Sequence, residues 1–504
     1  MKRRKFILQT SAGLFALTPV IGKISALPPA AAPFLTTGIK IGEVDETSAI
    51  VWTRLTRDAV RVSNKQAVPK MLYLDETVGE WHPIPYFKEK YRQDRPDREV
   101  KVIYPDGCDV QTLDGAVPGA PGFVRVSFRK KGKRKWNAAA WSRVDDHADY
   151  TFQSRVTGLE PDTAYDVKVE AKGPDGGNVT ASLTGTFRTA VPAHKQKNIR
   201  FTVTTCHEYN DQDDPGQGFK IYGHMRSLNP AFMVHTGDVL YYDHSAKDLS
   251  MAYWSWQRMF SLASCMEFYR NIPCYFMKDD HDTWMNDCYP GWKNRFMGRF
   301  SFEQGVEVFR QQVPYGPLPY RTFRWGKDLQ IWLTEGREYR SPNTMEDGPE
   351  KTIWGKQQME WFKSSFASSD ATFRVLINAT PIVGPDRWQK KDNHANSGFA
   401  HEGNLIREFL ATQKNAFVVC GDRHWQYASK SAQTGLMEFA CGPASNEHAS
   451  GWDKDHILPE HRYLNIVGGF LDVEVKPGGG KPGIVFTHYG VNGEKLHTEE
   501  FSAV

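Results

Sequence analysis

After residue 198 the chain repeats one grammar: a short apolar run that stops on polar or small residues. The runs are IRFTVTTC, PAFMVHTGD, PCYFMKDDHD, LQIWLTE, FRVLINATP and AFVVCGDRH. Each has the length of a buried strand, and stretches of helical period separate several of them. In GKQQMEWFKSSF, Met359, Phe362 and Phe366 share one helical face, and HEGNLIREFLATQ repeats the pattern with Leu405, Phe409 and Leu410. Strand and helix in alternation predict an α/β sheet covered on both faces, with ligands beyond the carboxyl ends of the strands. The polar tails of the runs fall there. The later segments GLMEFACG, GGFLDVEV and GIVFTHYG lack intervening helices and extend a sandwich.

A length of 504 residues exceeds what one core usually organises, so two domains are expected. From about Gly38 to Arg188 the pattern is alternating and turn-rich, with SAIVWTRL and YDVKVEA as half-buried strands. GLEPDTAYDVKV is similar to the turn before a late strand of fibronectin-type sandwiches, with Tyr165 as the tyrosine corner. The long stretch between these strands predicts an inserted hairpin or loop, and VPAHKQKN reads as a linker. The expected organisation is a signal at 1–26, an N-terminal β-sandwich at 36–193 and a catalytic domain at 198–504.

The first residues, MKRRKFILQTSAGLFALTPVIGKISALPPAAAP, set basic residues before an apolar stretch too short for a spanning helix. Arg3-Arg4 followed by Phe6 resembles a twin-arginine signal, with cleavage near Ala26. It implies passage through the twin-arginine translocon, a periplasmic or secreted location, and no transmembrane anchor in the mature form. A net charge of +4, from 63 basic and 59 acidic residues, argues against specific nucleic-acid recognition. The exception is RKKGKRKW, Arg129 to Trp136, either a solvated hairpin tip or a contact for an anionic polymer or membrane surface. Seven cysteines leave at least one thiol unpaired, and no CxxC spacing supports a zinc ribbon.

The strand ends carry the chemistry. In order they offer Cys206, followed by His207 and Glu208; Asp238 and Tyr241; Asp279, Asp280, His281 and Asp282; Asn378; then Asp422 and His424. Several carboxylates buried together call for a polyvalent cation as counter-charge. A thiol nucleophile built from Cys206 and His207 fails, because adjacent strand residues point to opposite faces. No GxSxG, HExxH or P-loop spacing supports another hydrolytic or nucleotide-driven class.

GDVLY, DDHD and GDRH, in that order, resemble the calcineurin-like metallophosphoesterases. With Cys206 in the first slot, GIKIGEVDETSAIVWTRL and MEFACGPAS, the chain resembles the alkaline phosphatase D (PhoD) family within them. DDHD stands where DDHE is commoner, and His-Glu follows the cysteine, departures that bear on substrate contacts more than on the metal site. The resemblance implies a four-layer metallophosphoesterase β-sandwich flanked by helices, behind an N-terminal all-β fibronectin-like domain. It implies Fe3+ held by Cys206, Asp238, Tyr241 and His424, with Tyr242 a packed aromatic. Asp238 would bridge to a second cation, Ca2+ or another divalent metal such as Mn2+ or Mg2+. Asp280 or Asp279, Asn378 and Asp422 would hold that ion, with Asn286 a further donor. A metal-bridging hydroxide would attack phosphorus, His281 would serve the leaving oxygen, and Arg387 would contact substrate. The implied activity is hydrolysis of phosphate mono- or diesters, free or in a polymer or lipid. The rival reading is a non-catalytic surface protein that binds an anionic polymer and carries a degenerate phosphoesterase domain.

Overall fold

The computed structural model describes residues 32–84, 97–387 and 389–504. The signal read at 1–26 lies outside the described residues, as does Trp388.

Two large sheets pack face to face. One runs in the order Lys495–Ser502, Gly483–Gly490, Gly469–Lys476, Ile199–Thr204, Phe232–His235 and Cys274–Phe276. The other runs Arg321–Trp325, Leu329–Leu333, Phe373–Asn378, Ala416–Cys420, Met437–Cys441, Gln426–Lys430 and His461–Asn465. Alternation along each strand divides the side chains between layers. Val375 and Ile377 enter the core between the sheets, whereas Leu376 faces the helical layer with Phe362, Phe366, Ile406 and Leu410. On the far side, Met233, Cys274 and Phe276 meet residues of helices Leu249–Phe260, Ala263–Tyr269 and Phe302–Gln312. The result is four layers: helix, sheet, sheet, helix.

The predicted helices form at Gly355–Ala367 and Ala400–Ala411. In the second the buried face is Glu402, Gly403, Ile406 and Leu410, whereas Leu405 is 41% exposed. The helix is rotated from the reading that put Leu405 inside, because Glu402 is drawn in to accept from the backbone N–H of Ile353 (2.6 Å).

The N-terminal strands Ile39–Gly42, Ala49–Arg54 and Thr151–Val156 continue the first sheet, Gly42 pairing in parallel with Cys274. Phe123–Lys130, Ala164–Gly173 and Gly176–Arg188 form the sheet opposite, and Ile41, Val51, Val124, Val126, Val167 and Val169 fill the space between. Tyr165 accepts from the Glu160 N–H at 2.8 Å, closing the turn before its own strand as its position predicts. The long insertion holds a small three-stranded sheet, Lys70–Asp75, Glu80–Pro83 and Val100–Ile103, where a hairpin or loop was expected.

A buried ion pair ties this N-terminal region to the helices behind the first sheet. Arg54 donates to Asp149 Oδ1 and Oδ2 (2.7 and 2.8 Å) and to the Val117 carbonyl (2.7 Å). Asp149 also accepts from Gln257 and Gln312 on two of those helices (3.4 and 3.1 Å). Removing one partner of a buried pair leaves an uncompensated charge, which costs about 3–5 kcal/mol. Asp149→Ala is therefore expected to lower the unfolding free energy in urea by that amount. A loss below about 1 kcal/mol would show that Arg54 finds other partners.

Candidate metal centre

The turns that end the strands are unusual in their backbone. Cys206, Asp238 and Asp422 have positive φ (51°, 53° and 61°), a left-handed conformation that non-glycine residues adopt at a cost. The preceding glycines permit close approach. A Cβ on Gly237 would lie 2.6 Å from Asp279 Cβ, and one on Gly421 would lie 2.3 Å from Thr236 Oγ1. Cross-links then fix the turns to each other. The His207 N–H donates to the Asp238 carbonyl (2.8 Å), and the Ala444 N–H to the Cys206 carbonyl (3.2 Å). The Asp282 carboxylate accepts from the N–H groups of Val239 (3.0 Å) and Asp279 (2.7 Å). The last residue of DDHD is thus a tie between two motif turns.

These turns bring side chains from remote parts of the sequence to one place. Cys206, Asp238 and His424 each offer a donor atom, and these lie within 4.8 Å of one another. Cys206 Sγ is 3.3 Å from Asp238 Oδ2, and Tyr241 Oη is 3.5 Å from the same oxygen and 3.4 Å from His424 Nε2. Two further groups at the same spacing are Asp238, Asp280 and His281, and Asp238, Asp279 and Asp422. Asp238 belongs to all three.

The electrostatics are those of a place lacking positive charge. Burial pushes the Cys206 thiol well above its ordinary value, and the carboxylates of Asp238 and Asp422 push it further. Burial raises the Tyr241 phenol likewise, with Cys206 and Asp238 adding to it. Burial also raises Asp238 and Asp279, and Asp238 Oδ1 and Asp279 Oδ2 are buried oxygens that accept no hydrogen bond. A thiol and a phenol give up protons in such surroundings only beside a strongly positive centre. The donor set therefore fits a cation of high charge at Cys206, Asp238, Tyr241 and His424. The oxygens of Asp238, Asp279, Asp280 and Asp422 fit a second, harder cation.

The two aspartates of DDHD are distinguished by their partners. Asp279 Oδ1 accepts from Arg337 Nε (2.6 Å) and leaves Oδ2 unpaired. Asp280 has both oxygens engaged, by the N–H groups of His281 (3.0 Å) and Asp287 (2.7 Å). His281 Nδ1 lies 2.9 Å from Asp243 Oδ1. Burial opposes protonation of His281, but the carboxylates of Asp243, Asp280 and Asp238 outweigh it and hold the imidazole up at about 10.

The Asn378 amide is engaged by protein groups in this arrangement. Its Oδ1 accepts from Thr334 Oγ1 (2.6 Å) and Trp354 Nε1 (3.2 Å), and its Nδ2 donates to the Thr380 carbonyl (2.6 Å). Trp354 Nε1 can only donate and a carbonyl can only accept, so the amide cannot be turned round, and both oxygen lone pairs are used. Asn286 is placed beside the site by its backbone N–H, which donates to Asp243 Oδ2 (3.3 Å). Arg387 lies over the Trp425 ring (5.2 Å), with Nε 3.7 Å from Asp386 Oδ1. Tyr242 is fully buried among helix residues, as expected of a packed aromatic. His207 turns away from the donors into a buried chain, with Nδ1 2.9 Å from His235 and Nε2 3.0 Å from Tyr222 Oη.

Several residues at the site carried no signal at a strand end. His448 Nε2 is 2.8 Å from Tyr241 Oη, its Nδ1 is 2.9 Å from Asp211 Oδ2, and its ring lies 4.1 Å from that of His424. His448 comes from a turn and Asp211 from the short 3-10 helix Tyr209–Asp211, neither long enough to show periodicity. Asp243 stands two residues beyond Tyr241 in GDVLYYD, and that proximity was the one available hint. Arg337 and Arg423 are fully buried counter-charges, to Asp279 and to Asp422, Asp386 and Asp392.

Comparison with known proteins bears on the family and the fold. A family model described as PhoD-like phosphatase matches residues 201–463. The chain is 22% identical to alkaline phosphatase D of Bacillus subtilis (strain 168), over 68% of this chain and 69% of the relative. Among solved structures it is similar to that of PhoD, with a TM-score of 0.67 at 17% identity, covering 95% of this chain and 92% of the other. It is also similar to purple acid phosphatase PPD1 from yellow lupin seeds, with a TM-score of 0.56 at 11% identity, covering 94% and 74%. These structural likenesses speak for a metallophosphoesterase-like fold.

The Asn378 geometry separates a structural amide from a ligand. Asn378→Ala leaves Trp354 and Thr334 without their acceptor, a cost of about 1–3 kcal/mol. The variant is expected to melt lower while binding the same number of metal ions per chain. Loss of one metal equivalent, with stability unchanged, would restore Asn378 as a ligand.

Proposed function

The chain belongs to the PhoD-like phosphatase family and is a phosphoester hydrolase of that type; we propose that it hydrolyses phosphate mono- or diesters at a two-cation centre organised by Asp238. The observation that carries this reading is the presence of Asp238 in all three groups of close donors at the strand ends, the position a bridging carboxylate requires. Cys206, Asp238, Tyr241 and His424 would hold Fe3+. Asp238, Asp279, Asp280 and Asp422 would hold Ca2+, or Mn2+ or Mg2+, with Asn286 as a further donor. Bound there, the cations would supply an activated water near neutral pH and neutralise charge on the phosphate.

The remaining steps belong to side chains. Asp243 engages His281 at Nδ1, which leaves Nε2 to carry a proton to the leaving oxygen. His448, held by Asp211, orients the Tyr241 phenol and fills the space behind it. Arg387, over the Trp425 ring and near Asp386, would contact the phosphate or its substituent. We read residues 36–193 as a fibronectin-like sandwich and 198–504 as the catalytic domain, exported by the twin-arginine route to the periplasm or beyond. Among the described residues no helix is long and apolar enough to cross a membrane. A degenerate, purely binding domain is disfavoured by the complete donor set.

Asp238→Asn is expected to abolish hydrolysis of chromogenic mono- and diesters and to lower the metal content found by elemental analysis. The parent protein should show a visible charge-transfer band that Tyr241→Phe removes. A colourless, fully active parent would exclude ferric iron, and near-normal turnover in Asp238→Asn would exclude the bridge. For His281→Ala, a loss of about 10²–10⁴-fold is expected with an alkyl leaving group. A nitrophenyl ester, whose leaving group needs no proton, should lose far less. Equal losses on both substrates would remove His281 from the proton-donor role.

A further inference from the structure

We propose that the outer face of the N-terminal sheet, together with the basic tip at Lys131–Trp136, is a docking surface for a flexible, single-stranded phosphodiester polyanion.

Alternation along Phe123–Lys130 and Ala164–Gly173 turns valines into the core and long charged side chains outward. Register sets Arg129 opposite Asp166, Arg125 opposite Glu170 and Phe123 opposite Lys172. Two half-buried tryptophans from the returning segment lie on this charged face. Trp136 has Arg129 at 4.3 Å and Lys168 at 5.3 Å from its ring, and Trp141 has Arg125 and Lys172 at 4.6 Å. The cations flanking the two rings are four residues apart along each strand, about 13 Å at the usual strand rise. The surface thus carries repeated units of a pinned aromatic ring flanked by cations.

The charge is in excess of its local compensation. On the sheet, Glu170 pairs with Arg125 (2.9 Å) and Lys168 (3.0 Å), and Asp166 pairs with Arg129 (3.0 Å). At the tip, Lys131, Lys133, Arg134 and Lys135 are exposed and make no ion pair among the described residues. The whole chain carries only +4, so this run of unpaired cations stands out against a nearly balanced background. A run of cations attracts a phosphate backbone, and ring platforms beside it accept the sugar or base units between phosphates. A bilayer fits less well. Its contacts insert apolar side chains, and among the described residues 123–143 expose no large hydrophobic one.

The inference does not depend on hydrolysis, and binding tests it without turnover. Fluorescent (dT)30 serves as the probe of a phosphodiester polyanion, titrated by anisotropy with the full chain over a range of salt. The parent is expected to bind at low salt and to weaken steeply as salt rises. The variant K131E/K133E/R134E/K135E should bind at least tenfold more weakly, with a salt slope shallower by about 0.7 for every phosphate it no longer neutralises. Trp136→Ala and Trp141→Ala should each weaken binding about fivefold or more, the lower end for removal of a stacking platform. Matching circular dichroism and melting curves would verify that the variants fold. Three results would each overturn the proposal: no binding of (dT)30 at low salt, tryptophan variants that bind like the parent, or binding to phosphatidylglycerol vesicles without binding to (dT)30.

Discussion

The centre of this molecule is a concentration of buried negative charge around Asp238, and the neighbouring structure is shaped by the need to contain it. Several carboxylates there have one oxygen held by a neighbouring group, whereas Asp280 has both engaged by backbone N–H groups. Asp279 gives Oδ1 to Arg337, Asp422 gives Oδ2 to Arg423, and Asp238 keeps Oδ2 beside the Cys206 thiol. That arrangement explains why two arginines are buried almost completely in a protein with ample surface. Their charge neutralises the outward oxygens and orients the inward ones. Asp238 Oδ1 and Asp279 Oδ2 still lack a partner, and burial makes that costly enough to require a cation.

The same requirement accounts for the strained turns. A strand that ended in an ordinary way would carry its last side chain along the sheet, away from its neighbours. The left-handed residues at Cys206, Asp238 and Asp422 turn the chain sharply where three adjacent segments end. Such conformations cost of order 1–3 kcal/mol each and persist only where the surroundings determine them. Here the surroundings are two wide sheets with a continuous apolar core between them, plus cross-links such as Asp282 between the Val239 and Asp279 amides. The scaffold is rigid directly beneath the donors, as a precise donor arrangement needs.

What the sequence disclosed follows from this physics. Apolar runs that stop on Cys, Asp or His are legible because the strand supplies periodicity and its end supplies the chemical group. Cys206, Asp238, Tyr241, Asp279, Asp280, Asp422 and His424 were found in this way. Asn378 was singled out by the same logic. Its position matches theirs, but Trp354 and Thr334, distant in sequence, consume its oxygen, and nothing near it in the sequence announces them. His448 and Asp211 were invisible for a related reason: they arrive on a turn and a single 3-10 turn, and only tertiary structure sets them against Tyr241. Leu405 shows the limit of helical periodicity, since the buried Glu402 carboxylate, bound to the Ile353 amide, chooses the inward face over an apolar neighbour.

The N-terminal strands enter the argument through the helices they grip. Lys40 donates to the Gln312 carbonyl (2.9 Å) at the end of one helix, between the rings of Trp52 and of Phe260 at the end of another. Arg54 and Asp149 reach both helices through Gln257 and Gln312. Helix Leu249–Phe260 in turn holds the turn that carries Tyr241, because Ser255 Oγ meets Ser245 Oγ (2.8 Å) and Ser245 donates to the Tyr241 carbonyl (2.8 Å). From there Asp243 leads to His281. A packed, hydrogen-bonded path therefore joins the N-terminal strands to the candidate proton donor. Such a path can transmit position only if its members move together, and the buried ion pair at its base makes independent movement expensive. The N-terminal region is by this reasoning part of the support for the centre, whatever its outer face binds.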